Sequence, residues 1–164
     1  MGGRKSGVIA MKKWILLAIL VPGIYLCAFA QEKKMSAGLG AEWNMASRHD
    51  FAAGAVLNFL YNLPGSTSLG ISFTGSMNFN KIYVLEPAFL VRQYFLQDNH
   101  SGFFVQFDAG AFIAFEEKGI TPMIKSGLGG GYRLTLKKLF YVEPYGRLGY
   151  PFAFGLGVMA GICF

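Results

Sequence analysis

The sequence predicts an all-β protein: an eight-stranded antiparallel up-and-down β-barrel that crosses a membrane, preceded by a cleavable signal peptide. Three observations carry that expectation. The chain opens with a leader, MKKWILLAILVPGIYLCAFA, that is basic at its start, apolar in its middle and small-x-small at its end. Almost everything after the leader alternates in polarity with a period of two rather than 3.6. The apolar face of that alternation is too bulky for the inside of a narrow barrel.

Lys12 and Lys13 supply the positive start of the leader, residues 14–25 the apolar run, and Ala28-Phe29-Ala30 the cleavage pattern before Gln31. Residues 1–30 are therefore assigned to a signal peptide and 31–164 to the barrel, with Met11 as an alternative start. The apolar run is short for a spanning helix and is broken by Pro22-Gly23, which argues against an uncleaved anchor. Leu26 is too large for the position before a lipidated Cys27. The formal charge of +6 includes Arg4, Lys5, Lys12 and Lys13, so the chain without its leader carries +2. That near balance removes the case for nucleic acid as a partner. Cys163 is the only cysteine beyond the leader, which excludes an intrachain disulfide.

Eight segments alternate. In 35–45, Met35, Ala37, Leu39, Ala41 and Trp43 oppose Ser36, Gly38, Gly40, Glu42 and Asn44. In 51–63, Phe51, Leu57, Phe59 and Tyr61 oppose Gly54, Asn58 and Asn62. After the turn PGSTSL, segment 70–80 sets Ile71, Phe73, Met77 and Phe79 against Ser72, Thr74, Ser76, Asn78 and Asn80. Segment 82–95 sets Tyr83, Leu85, Phe89, Val91 and Phe95 against Glu86 and Arg92. Beyond the turn LQDNHSG, segment 103–116 opposes Phe103, Val105, Phe107, Ile113 and Phe115 to Gln106, Asp108 and Glu116. Segment 121–136 opposes Ile124, Leu128, Tyr132, Leu134 and Leu136 to Lys125, Arg133 and Thr135. Segment 140–149 opposes Phe140, Val142 and Leu148 to Glu143 and Arg147. The last, 152–164, has Phe152, Phe154, Leu156, Val158, Ala160, Ile162 and Phe164 on one face and small residues on the other.

Several segments exceed the roughly 9–11 residues that a tilted strand needs to cross a bilayer. Most of the 16 Phe lie on the apolar face. An eight-stranded barrel has an interior only wide enough for side chains to fill, so that face is expected to look outward to lipid. Trp43, Tyr61, Tyr83, Tyr132 and Tyr150 fall near segment ends, where interfacial girdles belong. Pro87 and Pro144 stand in mid-segment, where a missing N–H breaks the ladder, and predict bulges.

The leader, the eight segments and the terminal alternation through Ala160, Ile162 and Phe164 resemble small outer-membrane barrels of the OmpA/OmpX type. The resemblance covers residues 31–164 and rests on pattern rather than on a catalytic motif. It implies localisation in the bacterial outer membrane and, as partners, outer-membrane lipids, periplasmic chaperones and the barrel-assembly machinery. It also implies that Leu156, Val158, Ile162 and Phe164 form the assembly signal. Long protruding loops, frequent in such barrels, are missing here: the connections at 46–50, 80–82, 117–120 and 149–152 are all short.

The lumen-facing charges are Glu42, Glu86, Arg92, Asp108, Glu116, Lys125, Arg133, Glu143 and Arg147. Unpaired charges in a narrow lumen are costly, so an internal ion-pair network that plugs the barrel is expected over an open charged pore. Ser47, His49 and Asp50 include the residue types of a nucleophilic triad, but three groups from one loop do not converge as a triad requires. His100 is read as a turn residue. The run GLGGG at 127–131 lacks the Lys-Ser/Thr pair and the helix of a phosphate loop and reads as a crowded strand. Cys163 has no accompanying Cys or His cluster, so no metal and no cofactor are expected. The functional expectation is a non-enzymatic barrel with a structural or surface-interaction role. A narrow channel for small solutes or ions is the first alternative, and a lipid-modifying enzyme the second.

Overall fold

A computed structural model describes residues 34–46, 51–78, 82–95, 100–116, 119–136 and 139–164. The leader assigned to 1–30 and the loop carrying Ser47, His49 and Asp50 lie outside the described residues. The strands are β1 (Met35–Ala46), β2 (Phe51–Asn62), β3 (Thr67–Asn78) and β4 (Tyr83–Phe95), then β5 (Gly102–Glu116), β6 (Gly119–Leu136), β7 (Phe140–Tyr150) and β8 (Phe152–Cys163). Each pairs antiparallel with the next, and β8 returns to β1 to close the barrel. This is the eight-stranded up-and-down barrel that the period of two predicts. Closure leaves no free sheet edge around most of the wall.

The two faces separate by residue parity. In β2 the pattern runs exposed, buried, exposed, buried from Leu57 to Asn62, and β4 repeats it. The outward face is apolar and open: Phe89 is 76% exposed, Leu39 63% and Trp43 59%. A contiguous apolar surface on this scale is a liability in water and an asset in lipid. Trp43 packs edge-on against Phe51 and Phe103 against Tyr132, so the girdle aromatics pair across neighbouring strands.

Two local expectations are corrected. No bulge occurs at Pro87 or Pro144. Pro87 pairs with Phe73 of β3, while the β4–β5 ladder skips residues 86 and 87 and resumes at Ala88↔Gly110 in unchanged register. Pro144 pairs with Val158 of β8, and the β6–β7 ladder is interrupted between Gly131↔Tyr145 and Leu134↔Val142, again without a shift. A proline can stay in a strand when one neighbour relinquishes its ladder for a short stretch. The register shift falls instead between Met45 and Ala46, opposite the start of β8. There Phe152, expected on the outward face, turns inward and stacks edge-on against Phe112 at 5.5 Å.

Candidate functional site: a two-layer ion-pair network in the lumen

The inward face of the barrel buries eight of the nine charged side chains on its strands, and the strand directions sort them into two layers. Because β4 and β7 run in opposite senses along the wall, Glu86 lies level with Arg147, and Arg92 level with Glu143.

The layer nearer the start of β1 centres on Glu143, which is fully buried. Arg92 Nη1 donates to both of its carboxylate oxygens at 2.9 Å, and Arg133 Nε donates to Oε1. Both guanidiniums make further contacts, although Arg133 Nη2 is buried without a hydrogen-bond partner. Arg92 donates to Gln106 Oε1 through Nη2 at 2.8 Å and lies 3.9 Å over the Phe104 ring. Arg133 lies 4.0 Å over Tyr141 and donates to Ser36 Oγ at 3.4 Å. Planar guanidiniums suit this setting, since they can bond in plane and stack out of plane together.

The second layer centres on Glu86, also fully buried. Lys125 Nζ approaches it at 2.9 Å and Arg147 Nη1 donates to it at 3.2 Å. Arg147 Nη2 also meets Glu42 at 2.7 Å and donates to Asn44 Oδ1 at 3.1 Å. Tyr145 donates its hydroxyl proton to Glu42 Oε2 at 2.7 Å, and Lys125 reaches Asp108 at 3.4 Å. The two centres are the two Glu-Pro pairs of the sequence. Each Glu sits where the following proline opens the ladder on one side.

Eight of the nine charges named from the sequence lie in these layers and are at most 9% exposed. Glu116 is the exception. It has inward parity but sits at the exposed end of β5, beyond the packed lumen, and joins none of these ion pairs. Of the remaining named residues, Leu156, Val158 and Ile162 face outward on β8, which ends at Cys163, one position before Phe164.

What parity alone did not bring out is the aromatic content of the lumen. Tyr94, Phe104, Phe112 and Tyr141 are buried inside, and Tyr145 packs there partly buried. The small residues of β8 make room for them. A Cβ on Gly157 would meet the Tyr145 hydroxyl at 2.5 Å, and one on Gly155 would lie 3.0 Å from Arg147 Cγ. The run at 127–131 serves the same end: a Cβ at Gly129 would press on Gln106 and one at Gly131 on Phe104.

Apolar groups fill the lumen beyond the Glu86 layer and around the Glu143 layer. Val84, Phe112 and Ala114, with Ile82, Met123 and Phe152, pack at the end near the β7–β8 connection. Val56, Tyr141, Met159 and Cys163 pack alongside the Glu143 layer, from the cavity at Val56 to the end of β8 at Cys163. Between the layers remains a cavity of about 20 Å³, counted over positions a water's centre can occupy, which is room for one or two waters. Asn58 Oδ1 and Asp108 Oδ1 line it without a hydrogen-bond donor from the protein, while Asp108 Oδ2 faces Lys125.

At the rim, His100 holds a left-handed backbone (φ 54°) and places Nε2 3.2 Å from the Thr67 carbonyl, with its ring edge-on to Tyr94. Burial holds its imidazole below the ordinary value, with Arg133 adding to the effect against the bonds from backbone carbonyls. Among the described residues no group of three His, Cys, Asp or Glu side chains is arranged to hold a metal ion.

No protein-family profile matches the chain, and no curated protein is similar to it in sequence. Solved structures are similar in fold. The N-terminal β-barrel domain of Pseudomonas aeruginosa OprF superposes with a TM-score of 0.58 at 14% identity, over 79% of this chain and 97% of that one. Neisserial surface protein A superposes with a TM-score of 0.57 at 10% identity, over 79% of this chain and 96% of that one. The fold is thus that of small eight-stranded transmembrane barrels.

Proposed function

We propose that this chain is an integral barrel protein of the bacterial outer membrane, non-enzymatic, with a structural or surface-interaction role and a plugged lumen. The single observation that carries the plug is the burial of Glu86 and Glu143. Each is fully enclosed and held by two cations, and the arrangement ties β4 and β7 together across the lumen. Apolar clusters, one beyond the Glu86 layer and one alongside the Glu143 layer, add to the barrier. Export by the leader with cleavage after Ala30, and assembly through Leu156, Val158, Ile162 and Phe164, complete the reading. Lipids, periplasmic chaperones and the assembly machinery are its partners.

Planar-bilayer recording tests the plug: the purified protein should insert without unit conductance, and reproducible channel steps would overturn it. The second reading, a narrow path for small solutes or ions, is favoured by one observation. The cavity between the layers carries two acceptors, Asn58 Oδ1 and Asp108 Oδ1, that have no donor from the protein and suit water or a solute.

A further inference from the structure

Among the described residues, β6 overhangs a neighbour at both ends: by three residues past β5 at Leu134–Leu136, and by seven past β7 at its start. β5 and β6 pair all the way to Glu116↔Gly119, but the β6–β7 ladder begins only at Ser126↔Tyr150. Residues 119–125 of β6 therefore pair on one side alone, and no described strand lies along the other. In hydrocarbon, each unsatisfied backbone group costs several kcal/mol, so an open edge of this length is excluded from the bilayer core.

The side chains give the same answer independently. On the outward face of β6, Ile120, Ile124, Leu128, Leu134 and Leu136 are all at least half exposed. At about 3.3 Å per residue and a tilt near 40°, the row from Ile120 to Leu136 rises about 40 Å, against an apolar band about 25 Å tall. Some of that row must stand outside the core, and the longer open edge, at 119–125, identifies the larger part. Tyr150, 59% exposed at the foot of the longer overhang, has the amphipathic character of a boundary residue.

From this we infer that segment 119–125, with Ile120 and Ile124, is a docking surface for the lipid headgroup layer at that end of the barrel. The unpaired backbone donors meet phosphate and hydroxyl oxygens there. The two isoleucines continue the lipid-facing surface of Leu128 without a break. A protein strand is a poorer occupant, because Pro122 stands in the middle of the open edge and removes a donor from it, a common device against strand addition. The inference rests on the membrane-spanning reading given above.

Nitroxide labels on Leu128→Cys, Ile124→Cys and Ile120→Cys, each in a Cys163→Ser background, test it in phosphatidylcholine–phosphatidylglycerol vesicles. Collision with oxygen and with a water-soluble nickel chelate reports depth. The label at 128 should lie in hydrocarbon, that at 124 at its boundary and that at 120 among headgroups. A label at 120 as deep as that at 128 overturns the inference, as does one exposed as in bulk water. Spin–spin broadening between copies at 120 also overturns it, since protein would then cover the edge. If the label at 128 is itself outside hydrocarbon, the membrane reading fails first and the inference with it. A lysine series is the second arm. Refolding yield of Ile120→Lys and Ile124→Lys should stay within about threefold of the parent, and that of Leu128→Lys should fall about tenfold or more. An equal fall at 120 and 128 overturns the inference.

Discussion

Arg92 of β4 gives its guanidinium to Glu143 of β7, 2.9 Å away, although Glu86 lies on its own strand with the same inward parity. The exchange is mutual, since Arg147 of β7 goes to Glu86 of β4. The antiparallel course of the two strands explains it. Each arginine is carried away from its own glutamate along the barrel axis and brought level with the other's.

The two glutamates are unequal in what their loss leaves behind. Glu143→Gln strands Arg92 and Arg133 together with no carboxylate, and should lower unfolding stability by about 3–5 kcal/mol. Glu86→Gln leaves Arg147 with Glu42 and Lys125 with Asp108, and should cost about 1.5–3 kcal/mol. Urea titration of the folded protein in lipid vesicles measures both. An equal cost would mean that the layers are not energetically separate.

Gly157→Ala should cost about 1–3 kcal/mol through overpacking, because its methyl group would fall on the Tyr145 ring. Combining it with Tyr145→Leu should give less than the sum of the single costs in the same titration. Strict additivity would show that the two positions do not touch.

His100 should titrate below its ordinary 6.5, followed by the imidazole NMR signal. Above 6.5 both folded and unfolded chains hold it neutral and stability is flat. As pH falls below 6.5 the unfolded chain takes up the proton first. Native stability therefore declines through the window between 6.5 and the lower folded value. His100→Gln should remove that dependence.

Deleting Phe164 should reduce the amount of protein assembled in the outer membrane of cells, while refolding of the purified chain into detergent micelles stays unchanged. A parallel loss in both would assign Phe164 to the stability of the barrel rather than to assembly.

Alternation with a period of two was enough to locate all eight strands and to say which side chains point outward, because a strand has only two faces. It reports face and not height. Glu116 has the parity of the lumen charges yet rises past the packed interior, and Phe152 changes sides where the register slips at Met45/Ala46. The partners of Arg92 and Arg147 were equally hidden, since they depend on which residues come level across the lumen. The Glu-Pro pairs stand out in the sequence, but their meaning needs the neighbouring strands. The aromatics at 94, 104, 141 and 145 share the parity of Arg92, Gln106, Glu143 and Arg147, so their inward course could have been read from that signal. The signal is masked by the greater number of Phe residues on the outward face.

The ladder gaps beside Pro87 and Pro144 have a mechanical consequence. At those two places the hoops of the barrel are cut, and spokes through the middle stand in for them. A wall fastened only by its hoops can unzip along one seam, strand by strand. Here, opening the seam at β4–β5 or β6–β7 also pulls Glu86 or Glu143 away from cations held by other staves. Hydrogen exchange along these seams should therefore occur in one cooperative step instead of fraying inward from the rims.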